Sequence, residues 1–157
     1  MSLLAILVTL CLIGVVAVLA IPAFFNRPDV TLEAACDLLV RDVRSSQNRA
    51  ALRHRALTLT FHEAGWSLDE GAAGEQPYEG SPIRRDFAMD GVFEGVVIER
   101  ASFGGEPRLV IGPKGLVRAG GSVDVRFQGV VRTVRIAESS GEIKLGEPRR
   151  VAPDTGP

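Results

Sequence analysis

Apolar and polar positions divide this chain into three patterns. From Leu3 to Phe25 there is no Asp, Glu, Lys, Arg or His. As a helix this run would reach roughly 35 Å, enough to cross a hydrocarbon core about 30 Å thick. Its Leu, Ile, Val and Phe side chains favour insertion and no charge opposes them. The pattern predicts a transmembrane anchor helix over residues 1–25. Pro22 falls late in it, where the missing N–H and the ring would bend the axis. Pro28 follows closely, so residues 26–29 read as a hinge.

From residue 30 to residue 54 the apolar period is helical. Leu32, Cys36, Leu39, Val43, Gln47 and Ala50 share one face, widened by Ala35 and Val40. Asp37 and Arg41 have helpful i,i+4 spacing. Arg49, Arg53 and Arg55 suit the negative end of the helix dipole and read as a solvated helix end. After Arg55 the period drops to two. Leu57, Leu59 and Phe61 share a strand face, and Trp66–Asp69 should pair back across a turn at Glu63–Gly65. Residues 70–82, rich in Gly, Pro and Glu, read as a surface loop. Short strands are expected around 86–88, 96–99, 108–111, 122–127, 131–136 and 142–145. Residues 30–147 thus form a globular head, and the proline-rich stretch 148–157 reads as a disordered tail.

Composition narrows the function. With 18 basic and 19 acidic residues the net charge is −1, which signals no nucleic-acid partner. One Trp and one Tyr offer no stacking platform for single strands. Cys11 lies in the apolar run and Cys36 on an apolar helix face, so both read as small hydrophobes rather than a disulfide.

Candidate chemistry is sparse. His54 and His62 straddle the helix-to-strand change with no ligand cluster at metal spacing. Gly104-Gly105 and Gly112-Pro113-Lys114-Gly115 match neither the phosphate loop nor the dinucleotide fingerprint and read as strand turns. No serine sits in a Gly-x-Ser-x-Gly setting. Asp124, between Val123 and Val125, should face solvent. No run of Asp and Asn suggests a calcium site. The expectation is no enzyme, no catalytic residue, no metal and no cofactor.

The N-terminal stretch has a more specific spacing than hydrophobicity alone would produce. Met1-Ser2-Leu3-Leu4, then Gly14, then Ala20-Ile21-Pro22 resembles the N-terminal helix of type IV pilins and type II secretion pseudopilins. A cleavable signal peptide would begin with a basic residue, and none precedes Arg27, although Val18-Leu19-Ala20 has the look of a weak cleavage site. Leu10 before Cys11 argues against a lipoprotein signal. Further on, Leu109–Gly115, Ser122–Phe127, Arg132–Ile136 and the turn Ser139–Ile143 resemble the closing β-region of GspH/FimT-type minor pseudopilins.

The resemblance implies an α+β, pilin-like fold. A long N-terminal helix, membrane-spanning in its first half and amphipathic in its second, would pack on an antiparallel β-sheet head. It implies a non-catalytic minor pseudopilin of a type II secretion or type IV pilus-like assembly, at a tip or initiating position. The chain would make one pass through the bacterial inner membrane, with the head in the periplasm. Partners would be other pseudopilins or pilins, through helix and head, and prepilin peptidase. No leader stands before Met1, the processing position, so Met1 is either a processed first residue or a genuine start. Where the family carries a glutamate that pairs with a neighbouring amine, this chain has Ala5. A buried charge is tolerated only when paired, so Ala5 argues against a repeated place in a filament shaft. Gly14, Ala17 and Ala20 offer small surfaces for helix packing, with Pro22 at the kink. The competing class is a membrane-anchored binding module with no filament role.

Overall fold

The computed structural model describes residues 7–14, 28–70 and 83–151. Residues 7–14 form a helix, α1, and Pro28–Arg53 form α2. Proline suits the first helical position, where its missing N–H would have had no partner. The last two residues of the expected hinge are therefore the first turn of α2, while 26 and 27 lie outside the described residues. At the other end His54 takes a left-handed φ of 51°, and the Arg55 N–H reaches the Ala50 carbonyl at 3.3 Å. That reversal uses a carbonyl the helix leaves open.

Among the described residues nine strands follow: β1 (Leu57–His62), β2 (Gly65–Glu70), β3 (Ile83–Asp86), β4 (Val97–Phe103), β5 (Arg108–Ile111), β6 (Gly121–Phe127), β7 (Val130–Ile136), β8 (Ile143–Leu145) and β9 (Arg149–Arg150). All pairings are antiparallel. The first sheet runs β3-β2-β1-β5 and the second β4-β6-β7-β8, with β9 also on β7. Gln128 and Gly129, with φ of 47° and 78°, make the two-residue turn between β6 and β7. Paired positive φ values match the twist of a tight hairpin, and glycine adopts them without steric cost.

The core forms between α2 and the two sheets. Leu32, Ala35, Cys36, Leu39, Val43 and Ala50 are buried along one stripe of α2, which lies against β6 and β7 and touches β1 and β5. Leu57 and Leu59 of β1, Leu109 and Ile111 of β5, and Val123, Val125, Val134 and Ile136 of the second sheet fill the space opposite. Each fully buried side chain of this size contributes about 1.5–3 kcal/mol. Val117 bridges both Ile111 and Ser139 and so joins the sheets at one corner.

Several expectations require correction. The pilin-like architecture with a long, membrane-spanning N-terminal helix is not what these residues form. Among the described residues no helix is long and apolar enough to cross a membrane. The longer α2 carries Glu33, Asp37, Arg41, Asp42, Arg44, Arg49 and Arg53 along its length, which an apolar bilayer core would penalise heavily. The remainder is mostly antiparallel sheet. The single-pass location in the bacterial inner membrane rested on a spanning helix and is withdrawn with it.

Smaller differences follow the same local logic. Residues 87–89, overlapping the expected strand 86–88, form a 3-10 turn capped by Asp86, whose side chain accepts from the Ala88 N–H. The expected tail begins with a paired strand: Arg149 and Arg150 lie opposite Val131 and Val130. Residues 152–157 lie outside the described part. Asp124 does not simply face solvent; it is half-buried and accepts a 2.5 Å hydrogen bond from Thr133 Oγ1 across the ladder.

Candidate functional site

The positions that the N-terminal resemblance singled out divide between described and undescribed residues. Met1, Ala5, Ala17, Ala20 and Pro22 lie outside the described part. Gly14 is the last described residue of α1, and a methyl added there would meet nothing within 4 Å. The helix leaves Leu7, Val8, Leu10, Leu12 and Ile13 exposed, with Leu12 at 66%. Among the described residues no other element lies against Gly14.

The histidines do not converge. His54 sits in the turn after α2, and exposed His62 shares a 3.2 Å hydrogen bond with Ser67 Oγ. No group of three or more His, Cys, Asp or Glu among the described residues could hold a metal. Both cysteines are free, Cys11 exposed and Cys36 buried. Burial pushes the Cys36 thiol up to about 11, with Arg132 pulling modestly the other way. A thiol so disposed stays protonated and is a poor nucleophile at neutral pH.

The polar groups that do converge lie between α2 and the first sheet. Asp42 Oδ2 accepts from Trp66 Nε1 at 3.1 Å and from Arg85 Nε at 3.3 Å. Glu70 Oε1 meets Arg49 Nη2 at 2.8 Å and Arg53 Nη1 at 2.5 Å. The arginines expected to be a solvated helix end therefore clamp α2 to β2. A cleft of about 240 Å3 opens here, lined by Asp42, Ser45, Arg49, Trp66 and Arg85 among others. Its one carboxylate among the described residues, Asp42, is committed to arginine and indole donors and so is poorly placed to act as a general base. The buried Ser46 hydroxyl donates to the Asp42 carbonyl at 2.7 Å. What the arrangement does is fasten a helix to a sheet.

Sequence reasoning missed Asp42 and Glu70. The signal available was a single polar position beside the apolar stripe of α2, which the Asp37–Arg41 spacing drew attention away from. Glu70 lies at the end of the hairpin, and only the three-dimensional pairing brings it beneath Arg49 and Arg53. No family model, curated protein or solved structure significantly matches this chain.

Proposed function

We propose that this chain is a non-catalytic, minor pseudopilin-like subunit of a type II secretion or type IV pilus-like assembly. The observation that carries the reading is the N-terminal register, Met1-Ser2-Leu3-Leu4 with Gly14 and Ala20-Ile21-Pro22. Two features of the head support it. A long amphipathic helix runs almost directly into β1, and the convergent polar groups tie helix to sheet rather than frame a reaction centre. The reading makes no use of a spanning helix. Its working parts are surfaces, beginning with the apolar side chains that α1 leaves exposed.

A photocrosslinking side chain placed at Leu10 or Ile13 tests the reading in cells of the source organism. Reproducible crosslinks to one or two other pilin-like chains are expected. If no second pilin-like chain is ever captured, the reading is wrong.

A further inference from the structure

A net charge of −1 conceals a segregation of charge that the strand register makes explicit. In the second sheet Val123, Val125, Val134 and Ile136 point to the core, so their neighbours in sequence point away from it. On that outer face the register sets Ser122 beside Arg135 and Arg135 beside Lys144; it also sets Arg126 beside Val131 and Val131 beside Arg149. Arg100 lies beside Asp124 in the adjoining strand. Five cations, all exposed, thus share a face with two acids: Asp124, which accepts from Thr133, and Glu142, which pairs with Lys144. Like charges directly opposed across a ladder, as in Arg135 and Lys144, destabilise a sheet. Among the described residues Lys144 alone of the five has a salt bridge, 3.4 Å to Glu142.

The opposite charge is gathered in one segment. From Asp86 to Glu99 there are four acids and no base. The turn over residues 87–95 is held from below, because Phe87 is buried edge-on against Trp66 with ring centroids 5.4 Å apart and Phe93 lies tilted against it at 5.6 Å. Held in this way, the turn presents Met89 at 89% exposure, Val92 at 68%, and the exposed Asp90 and Glu94 between and beside them. Asp90 Oδ1 accepts from the Val92 N–H at 3.1 Å, which fixes the turn, so two exposed apolar tips flanked by acids make a preformed plug, for which little ordering entropy is lost on docking.

We propose that the basic outer face of the second sheet docks the acidic turn 87–95 of a second copy of this chain. The complementarity on the page lies between two surfaces of the same sequence. Four of the five cations are arginines, whose planar forks match carboxylates in pairs. The turn leads straight into β4 at the edge of the basic face, where Val97 pairs with Arg126, so two copies can exchange turns reciprocally about a two-fold axis or pass them on head-to-tail. This inference does not depend on the assembly reading, which concerns other chains.

Charge reversal tests it with the full chain, kept in non-ionic detergent so that α1 contributes no apolar association. At about 20 mM salt the weight-average mass in sedimentation equilibrium should rise with protein concentration, and at about 0.5 M salt it should fall back to that of the monomer. An Asp90→Lys, Glu94→Lys variant and an Arg126→Glu, Arg135→Glu variant should each associate at least about tenfold more weakly. Mixed together, the two variants should associate again, since each then offers the charge the other lacks. The reversed side chains are exposed, and milder Asp90→Asn, Glu94→Gln and Arg126→Gln, Arg135→Gln pairs guard against loss of structure. A monomer at every concentration, or reversals without effect, overturns the proposal. So does a mixture that stays monomeric. Capture of duplex DNA or of phosphatidylglycerol vesicles by the face, without self-association, overturns the named occupant. Loss of self-association with the crosslinks to other pilin-like chains intact would sink this contact and leave the assembly reading standing.

Discussion

Asp42 and Trp66 are joined across 24 residues of sequence by a 3.1 Å hydrogen bond from the indole N–H to a carboxylate oxygen. Trp66 is 2% exposed, so its N–H has no solvent to turn to. Asp42→Ala should cost about 2–3 kcal/mol, because a buried donor left unpaired carries its full desolvation penalty. Asp42→Asn keeps an acceptor and should cost about half as much. Urea unfolding of both variants, followed by the fluorescence of the single tryptophan, measures the difference. Equal stability of wild type and Asp42→Ala would show that the bond is not a brace.

The buried thiol predicts an alkaline limit. Cys36 keeps its proton to about 11 in the folded chain, against an ordinary 9.0. Its protonated form is favoured by folding, so the stabilisation is complete below pH 9 and is lost as pH rises from about 9 to about 11. Thermal melts across that range should fall more steeply for wild type than for Cys36→Ala. In native protein at pH 8 a thiol reagent should label Cys11 alone, and Cys36 should react after denaturant is added.

A single methyl is expected to break the pairing of β4 with β6. A Cβ at Gly121 would run into the Ser102 carbonyl oxygen and come within 2.5 Å of a Phe103 ring carbon. Backbone on the partner strand cannot swing aside as a flexible side chain would. Gly121→Ala should destabilise by roughly 2–4 kcal/mol. Gly91→Ala, where the added methyl meets nothing within 4 Å, should stay within about 0.5 kcal/mol of wild type.

Removing residues 148–157 should weaken the head. Val131 is fully buried yet stands outside the main core, on the face where Arg149 is its cross-strand neighbour. Loss of β9 also frees the Gly129 carbonyl, which accepts from Val151 at 2.9 Å. A cost of about 1–3 kcal/mol is expected from the newly wetted valine and the lost ladder bonds. Hydrogen exchange at Val130 and Val131 should quicken in the shortened chain.

Much of the fold was legible because two periodicities carry it. The stripe of Leu32, Cys36, Leu39 and Val43 is buried as its spacing predicts, and β1, β5, β6 and β7 fall within a residue or so of their expected spans. Gly104, Gly105 and Gly115 take the positive φ expected of turns. The failures arise where tertiary pairing overrides local composition. Pro148 marked the start of a tail, but the free edge of β7 recruits Arg149 and Arg150. The apolar run Leu3–Phe25 satisfies a length rule, but only residues 7–14 of it are among the described residues, and no described helix is long and apolar enough to cross a membrane. Asp42 and Glu70 were illegible because their partners lie 24 and about 20 residues away, beyond the reach of any local spacing. The basic face was hidden for a different reason, since a net charge sums over surfaces that the strand register separates.

The strand order carries one more consequence. β5, which completes the first sheet beside β1, follows β4, which belongs to the second. Neither sheet is therefore a continuous stretch of chain, and no cut in the sequence yields half a head with its own hydrophobic interior. A chain emerging from the ribosome must reach residue 111 before the first sheet can close. It must reach residue 136 before the α2 stripe is fully covered. Loop-closure entropy over such separations is met before the contacts that reward it, which makes acquisition of the native state slow and all-or-none. Until then α2 is an unsheltered amphipathic helix, dependent on its surroundings to remain unaggregated.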